Sequence, residues 1–505
     1  MRQAVLANAA ALIGGLFVLS PALAPLSAQA AASTCSIDQN KPKELALANF
    51  SLSKAQALPI GPARQTVLNQ MAKDLLDKPE KFKENPGGYY YMLTQLYTLI
   101  AQQPSGVTPT TRGAIGLTTR PGDPFDVVVE LDSAYIKMEA AAPTCKADIA
   151  TSRNNEAWLA VTNKAFSLSQ AGQNDSATFY AKRSLMLSHD NPFPHHILAT
   201  IAQNKNDMPT AITEWKDVVR LSGSDTAYRD IKNASLFYLG VEDLSGAASK
   251  TGEAQKSQAR DAAGYLKQFL DANPAGPDAP GVMNNLSQAY MLYGDTAAVK
   301  AMYSDLIANP SKYNEQILVM GGVAATNAGD PASAEKLFAS AVAANPKSRD
   351  GLRNLAATRY AQKKFDQMFV PLHTLAEIDP NNYDALMMFA FAAQDLQKDA
   401  KTPADKKSWV DTLTKYSGIA DKLSAKVEVT GFTRSADKAE VTVNVEQAGE
   451  GSGTYTVDME FLDKSGTVVS SDSQKVGPIA KGEKKTVTLT GKGAGIVSFR
   501  YKPLG

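Results

Sequence analysis

Residues that carry chemistry are scarce, with four histidines, two cysteines and three tryptophans in 505 residues. His195 and His196 are adjacent, so on a helix they diverge by about 100° and do not readily face one metal. His189 and His373 stand apart from them, no H-E-x-x-H run occurs, and no cysteine lies near a histidine. No metal site is therefore expected. The chain also lacks a G-x-S-x-G nucleophile turn and a G-x-x-x-x-G-K-[ST] phosphate loop. Gly491-Lys492-Gly493-Ala494-Gly495 is glycine-rich, but a strand and no helix follows it, so it reads as a hairpin turn. Carboxylates such as Glu377 and Asp379 fit helix faces and ends, and no acid–base pair stands out. The expectation is no catalytic residue and no cofactor.

An excess of charge is absent too. Lys plus Arg number 52 against 51 Asp plus Glu, without a long run of one sign. Such balance leaves no footprint for nucleic acid or an anionic membrane. The one long apolar run lies at the start. Arg2, the apolar Ala4 to Ser20, the breaks at Pro21 and Pro25, and Ala28-Gln29-Ala30 together read as a secretory signal over residues 1–30. A membrane anchor is the alternative, but the run is short for a bilayer span and no basic cluster follows. Ala32-Ser33-Thr34 before Cys35 makes a poor lipobox. A periplasmic or extracellular chain without a stable membrane span is expected. In that setting the pair Cys35 and Cys145 favours a disulfide over two free thiols.

What the chain does have is a period. In Gly321 to Pro346, Gly322, Ala334, Phe338, Ala341 and Pro346 give small, small, aromatic, small and stop. Gly351 to Pro380 repeats the plan with Leu355, Ala356, Leu372, Leu375 and Pro380, and the closing prolines are 34 residues apart. From Ala157 to about Ser417 the pattern is continuous. Successive units carry Ala165, Gly172, Ala177, Ala181 and Ser184; then Ala199, Ala211, Trp215 and Val218; then Leu236, Leu239, Gly240, Ala262, Leu266 and Phe269. A fourth has Leu286, Tyr290, Gly294, Tyr303 and Leu306, and a seventh begins with Leu386, Phe389 and Ala390. Small residues are needed where helix axes approach most closely. Asn-Pro or Asp-Pro closes a unit at 191–192, 273–274, 309–310, 345–346 and 379–380. Ser245 to Gln255 reads as an enlarged turn, and Lys398 to Ala404 as an interruption of the seventh unit before Lys406 to Leu423.

Earlier, residues 31–150 read as helical and only loosely repetitive, with helices over Ala63 to Asp77, Gly88 to Gln103 and Val127 to Ala142. Tyr89-Tyr90-Tyr91 suits helix packing better than a sugar-stacking platform. The connection 104–125 is long enough to be functional or mobile, and its Arg112 and Arg120 read as surface charge. After Ser424 the period becomes two. Val427 to Thr430, Ala439 to Val445, Thr454 to Phe461, Val468 to Ser471, Lys485 to Leu489 and Ile496 to Tyr501 read as strands of a small antiparallel sandwich, expected to lean on the last helix.

These small, aromatic and proline positions resemble the tetratricopeptide (TPR) repeat family over about 260 residues, with a weaker match over another 100. Phe461-Leu462-Asp463 before Ser465-Gly466 resembles a small immunoglobulin-like class found in exported bacterial proteins. The resemblance implies a mainly α fold, a right-handed α-solenoid of TPR-type helix pairs with about seven units over 151–423, then a β-sandwich over 424–505. It also implies that first helices line a groove for a protein or peptide. By register the groove positions are Thr162, Phe166, His196, Thr200, Gln203, Phe237, Asn284, Gln288, Arg353, Tyr360, Met387 and Phe391. The chaperone-binding subgroup grips a carboxylate with a lysine and an asparagine. The pairs here are Thr162/Phe166, His196/Thr200, Asn284/Gln288 and Arg353/Ala357, which argues against that mode. The expected function is an exported, non-catalytic interaction scaffold. The alternatives are a structural subunit of a cell-envelope assembly and a polysaccharide-binding or processing protein that uses the Tyr89 region.

Overall fold

The computed structural model describes residues 35–154, 156–274, 276 and 278–504. The signal segment expected over residues 1–30 lies outside them. Two compact units divide the described chain, one within residues 35–239 and one within 240–504. No helix among the described residues is long and apolar enough to cross a membrane.

In the first unit the helices are α1 (Lys43–Ala57), α2 (Pro62–Leu76), α3 (Pro86–Ala101), α4 (Val127–Ala141), α5 (Lys146–Ser152), α6 (Glu156–Gln170), α7 (Asn174–Leu187), α8 (Pro192–Asn204) and α9 (Met208–Ser222). Side-chain caps start several of them. Asn85 accepts from the Gly88 N–H, Asp126 from Val128 and Val129, Asn191 from Phe193, and Asp207 from Thr210. Each satisfies an N–H that a helix leaves open at its first turn. α1 does not stand out in the sequence, yet Leu45, Ala48, Leu52 and Ala55 form its buried stripe. A disulfide joins Cys35 to Cys145, with Cα atoms 4.5 Å apart.

The connection 104–125 is packed. Two-residue strands β1 (Thr110–Thr111) and β2 (Pro124–Phe125) pair within it, and Val107, Ile115, Leu117 and Phe125 are buried. Asp77 accepts from the backbone and hydroxyl of Thr118 and from the Thr119 N–H. Arg112 donates to the Thr119 carbonyl and Arg120 pairs with Asp123. Tyr89 belongs to the core, stacked on Phe82 at 4.8 Å with its hydroxyl on the Leu75 carbonyl. It forms no exposed platform.

The helix α10 (Arg229–Ala248) has residues in both units. The second unit continues with α11 (Gly252–Ala272), α12 (Ala279–Tyr293), α13 (Thr296–Ala308), α14 (Glu315–Asn327), α15 (Pro331–Ala344), α16 (Arg349–Ala361), α17 (Phe369–Ile378), α18 (Tyr383–Asp399) and α19 (Pro403–Asp421). Neighbours along the chain pair, and first helices α12, α14, α16 and α18 pack in succession. This is an α-solenoid arrangement of TPR-like pairs. The small-residue rule is visible at Gly322 and Gly240. A Cβ at Gly322 would stand 2.5 Å from the Phe338 ring, and one at Gly240 would stand 2.6 Å from Leu266. Phe338 thus lies against α14 backbone, and its burial stabilises by about 1.5–3 kcal/mol. Asp330 caps α15 through the Ser333 N–H and takes the Tyr303 hydroxyl from α13 at 2.9 Å.

Two expected irregularities are corrected. The extra residues at 245–255 lengthen α10 and α11 and leave only Ser249 to Thr251 as a turn. The interruption at 398–404 is likewise only a three-residue turn, Ala400 to Thr402, between α18 and α19. In both places polar and small residues read as loop although helix pairing carries them.

Six strands follow: β3 (Ala425–Arg434), β4 (Lys438–Gln447), β5 (Ser452–Leu462), β6 (Val468–Ala480), β7 (Lys484–Lys492) and β8 (Ser498–Tyr501). They form two antiparallel sheets, ordered β3-β4-β7 and β6-β5-β8. Val441, Val443, Val445, Val457, Met459 and Phe461 fill the core between them. β6 runs far beyond its expected end at Ser471. As an edge strand with most residues exposed, it shows little apolar alternation.

The sandwich does not rest mainly on the last helix, as expected, but on the loops that close two repeats. Asp379, with a fully buried side chain, accepts from Arg349 Nε at 2.6 Å, the Tyr501 hydroxyl at 2.6 Å and Asn382 at 2.7 Å. Asn381 donates its amide to the carbonyls of Ala425 and Leu504 and accepts the Leu504 N–H. Asn345 reaches the Val497 carbonyl at 3.0 Å, and Arg434 pairs with Glu315 at 2.7 Å. Burial, with Asp379 adding to it, pushes the Tyr501 phenol well above its ordinary value. Tyr501 therefore remains a donor.

Candidate partner-binding face

Arg353, Ala357 and Tyr360 recur at four and seven positions on α16, so they share one face. On α18, Asp384, Met387, Phe391 and Asp395 do the same. Two contacts join these faces edge to edge. Arg353 comes within 4.0 Å of Asp384, and the Tyr360 hydroxyl donates to Asp395 at 3.3 Å. Tyr360 and Phe391 remain 39% and 45% exposed, high for aromatic residues of a packed array. Met387 is half-buried beside them. Phe365 meets the Tyr360 ring edge-on at 5.4 Å and steadies it. Lys398 beside Asp395, at 2.6 Å, holds that carboxyl below its ordinary value, through a side-chain hydrogen bond first. The face therefore offers aromatic and thioether surface inside a rim of both signs. Asn284 and Gln288 lie on α12, with α14 standing between them and this face. Gln288 is exposed and Asn284 half-buried.

The groove positions of the first unit are engaged differently. Thr162 is buried, not groove-lining, because its hydroxyl shares a 2.6 Å hydrogen bond with Ser184. Phe166 packs against the core. On α8 the Thr200 hydroxyl donates to the His196 carbonyl, and Gln203 hydrogen-bonds Tyr238, whose ring stacks on Trp215 at 4.7 Å. Phe237 meets Tyr238 edge-on at 5.8 Å.

His196 is half-buried, with Nδ1 lacking a hydrogen-bond partner. Burial pushes its imidazole down to about 4. The unfolded chain then takes up a proton near pH 6.5 while the folded chain resists until about pH 4. Stability is therefore whole above about pH 6.5 and falls as the pH drops toward 4, by at most about 3 kcal/mol. The melting temperature of wild type should fall more steeply between pH 7 and 4.5 than that of His196→Leu. Parallel slopes would mean that other groups carry the dependence.

A cleft of about 230 Å³ lies between the sandwich and the starts of α14 and α16, lined by Glu315, Arg349, Phe432 and Ser498 among others. Its polar groups chiefly serve the ion pairs described above.

The chain is similar to a thermophilic TPR protein of Thermus thermophilus, at 17% identity over 40% of this chain and 99% of that one, with a TM-score of 0.24. It is similar to pilF of Pseudomonas aeruginosa at 14% identity, covering 52% and 90%, with a TM-score of 0.25. It is also similar to the TPR2AB domain of yeast Sti1 in its complex with pHSP90, at 16% identity, covering 52% and 93%, with a TM-score of 0.22. No family model matches the chain, and no curated protein matches it.

Proposed function

We propose that the chain is an exported, non-catalytic interaction scaffold that holds a protein or peptide partner on the joined faces of α16 and α18. The observation that carries this reading is Tyr360 and Phe391, exposed on adjacent first helices and bracketed by charged contacts. Exposed aromatic anchors ringed by polar groups are the composition of binding hot spots. The mixed rim of Arg353, Asp384, Asp395 and Lys398 suits an extended segment with charges of both signs. Export is supported by the composition of residues 1–30 and by the Cys35–Cys145 bond, since disulfides persist in oxidising compartments. The sandwich provides a second contact surface.

The test is a crosslinking pull-down from the cell envelope with wild type and with Arg353→Ala, Tyr360→Ala and Phe391→Ala combined. These are partly exposed positions, so the triple variant should keep its circular dichroism and melting point while losing the captured partner. An unchanged captured set would remove this face from the reading.

A further inference from the structure

α8 and α9 form a helical hairpin, and three donor side chains meet across it. Glu214 and Asp217 are three positions apart on α9, so both project from one side. His195 comes from the first turn of α8. Its Nδ1 stands 2.6 Å from Glu214 Oε2 and 3.9 Å from Asp217 Oδ2. All three donor atoms lie within 4.8 Å of one another. The side chains are 14%, 19% and 31% exposed, which leaves an opening without leaving the group on the open surface. Arg220, one turn on, engages the other oxygen of Asp217, with Nε at 3.1 Å and Nη2 at 2.7 Å from Oδ1. That fixes the carboxylate and leaves Oδ2 for the centre of the cluster.

We propose that His195, Glu214 and Asp217 bind a divalent transition cation of the zinc type. Imidazole nitrogen and carboxylate oxygen both ligate zinc, and three protein ligands with water in the fourth position make an open tetrahedral site. At metal–ligand distances of about 2.0–2.2 Å, tetrahedral donors stand about 3.3–3.6 Å apart. That spacing lies between the two separations of His195, so each of those pairs adjusts by less than about 1 Å, and the carboxylate pair, within 4.8 Å, closes by no more than about 1.5 Å. The cation takes the place of a proton shared between His195 Nδ1 and Glu214, and the imidazole binds in its neutral form with the proton on Nε2. Arg220 then acts as the outer partner that orients a ligating carboxylate. A calcium-type ion demands six or more oxygens, which one hairpin with an imidazole does not supply. No local motif reveals the set, because 195, 214 and 217 converge only when the two helices pair.

The test is zinc titration of the tag-free chain by calorimetry, with competition against a chromophoric chelator. One equivalent should bind. His195→Ala and the isosteric Glu214→Gln should abolish it, and Arg220→Gln should weaken it by about tenfold. The exposed His189→Ala should bind as wild type. Glu214→Gln preserves side-chain shape, so its fold is checked by an unchanged circular dichroism spectrum. Absence of a saturable equivalent overturns the proposal, as does undiminished binding by folded Glu214→Gln.

Discussion

Asp379→Ala should lower the unfolding free energy of the 240–504 unit by about 3–5 kcal/mol, the range for breaking a buried ion pair from one side. The carboxylate accepts three hydrogen bonds, and its removal leaves the Arg349 guanidinium, whose side chain is only 13% exposed, with the exposed Asp350 at 3.1 Å as its remaining acidic partner. Burial works against that charge, and Asp379 is the main force holding it. Tyr501→Phe leaves the ion pair and removes one hydroxyl that donates to Asp379 and accepts from the Asn381 N–H. It should cost about 1–3 kcal/mol. Urea unfolding followed by circular dichroism reads both. A loss below about 1 kcal/mol for Asp379→Ala would put it in the range of exposed pairs and mean that the clamp adds nothing.

The second large effect is expected from Cys35→Ser with Cys145→Ser. The bond closes a loop with a sequence separation of 110, and in the chain-entropy model such a cross-link is worth about 4–5 kcal/mol. Asn85 also holds the Asp38 and Lys41 carbonyls at 2.7 Å each, so the leading segment keeps some anchoring without the bond. The expected result is a fall in the melting point of the 35–239 unit, reproduced by reducing the wild-type protein. Equal melting of oxidised and reduced protein would rule the contribution out.

The helix pairs are legible in the sequence because their cause is local. Gly322, Ala334, Phe338 and Ala341 must recur at fixed spacing wherever axes cross closely, and a period survives in a linear string. That Arg353 and Tyr360 share one helix face, and Met387 and Phe391 another, is legible for the same reason, since helix register fixes it; that the two faces adjoin comes from Asp384 and Asp395. Asp379, Asn381 and Tyr501 are not legible as a clamp. Their partners lie more than a hundred residues apart, and Asp379-Pro380 has a sufficient local role as a stop. Thr162 misleads because register gives a direction but not the neighbour that fills it, which is Ser184. β6 reads short because most of its side chains are exposed and few apolar ones mark its course.

The polar clamp at Asp379 and Asn381 also has a mechanical meaning. Because the loop closing the α17 repeat is bonded directly to β8 and to the Leu504 backbone beyond it, the sandwich is fastened to the helices at points other than its chain link at 422–424. A pull applied to β8 would therefore load the starts of α16 and α18 through Arg349, Asp379 and Asn381, and not the chain link alone.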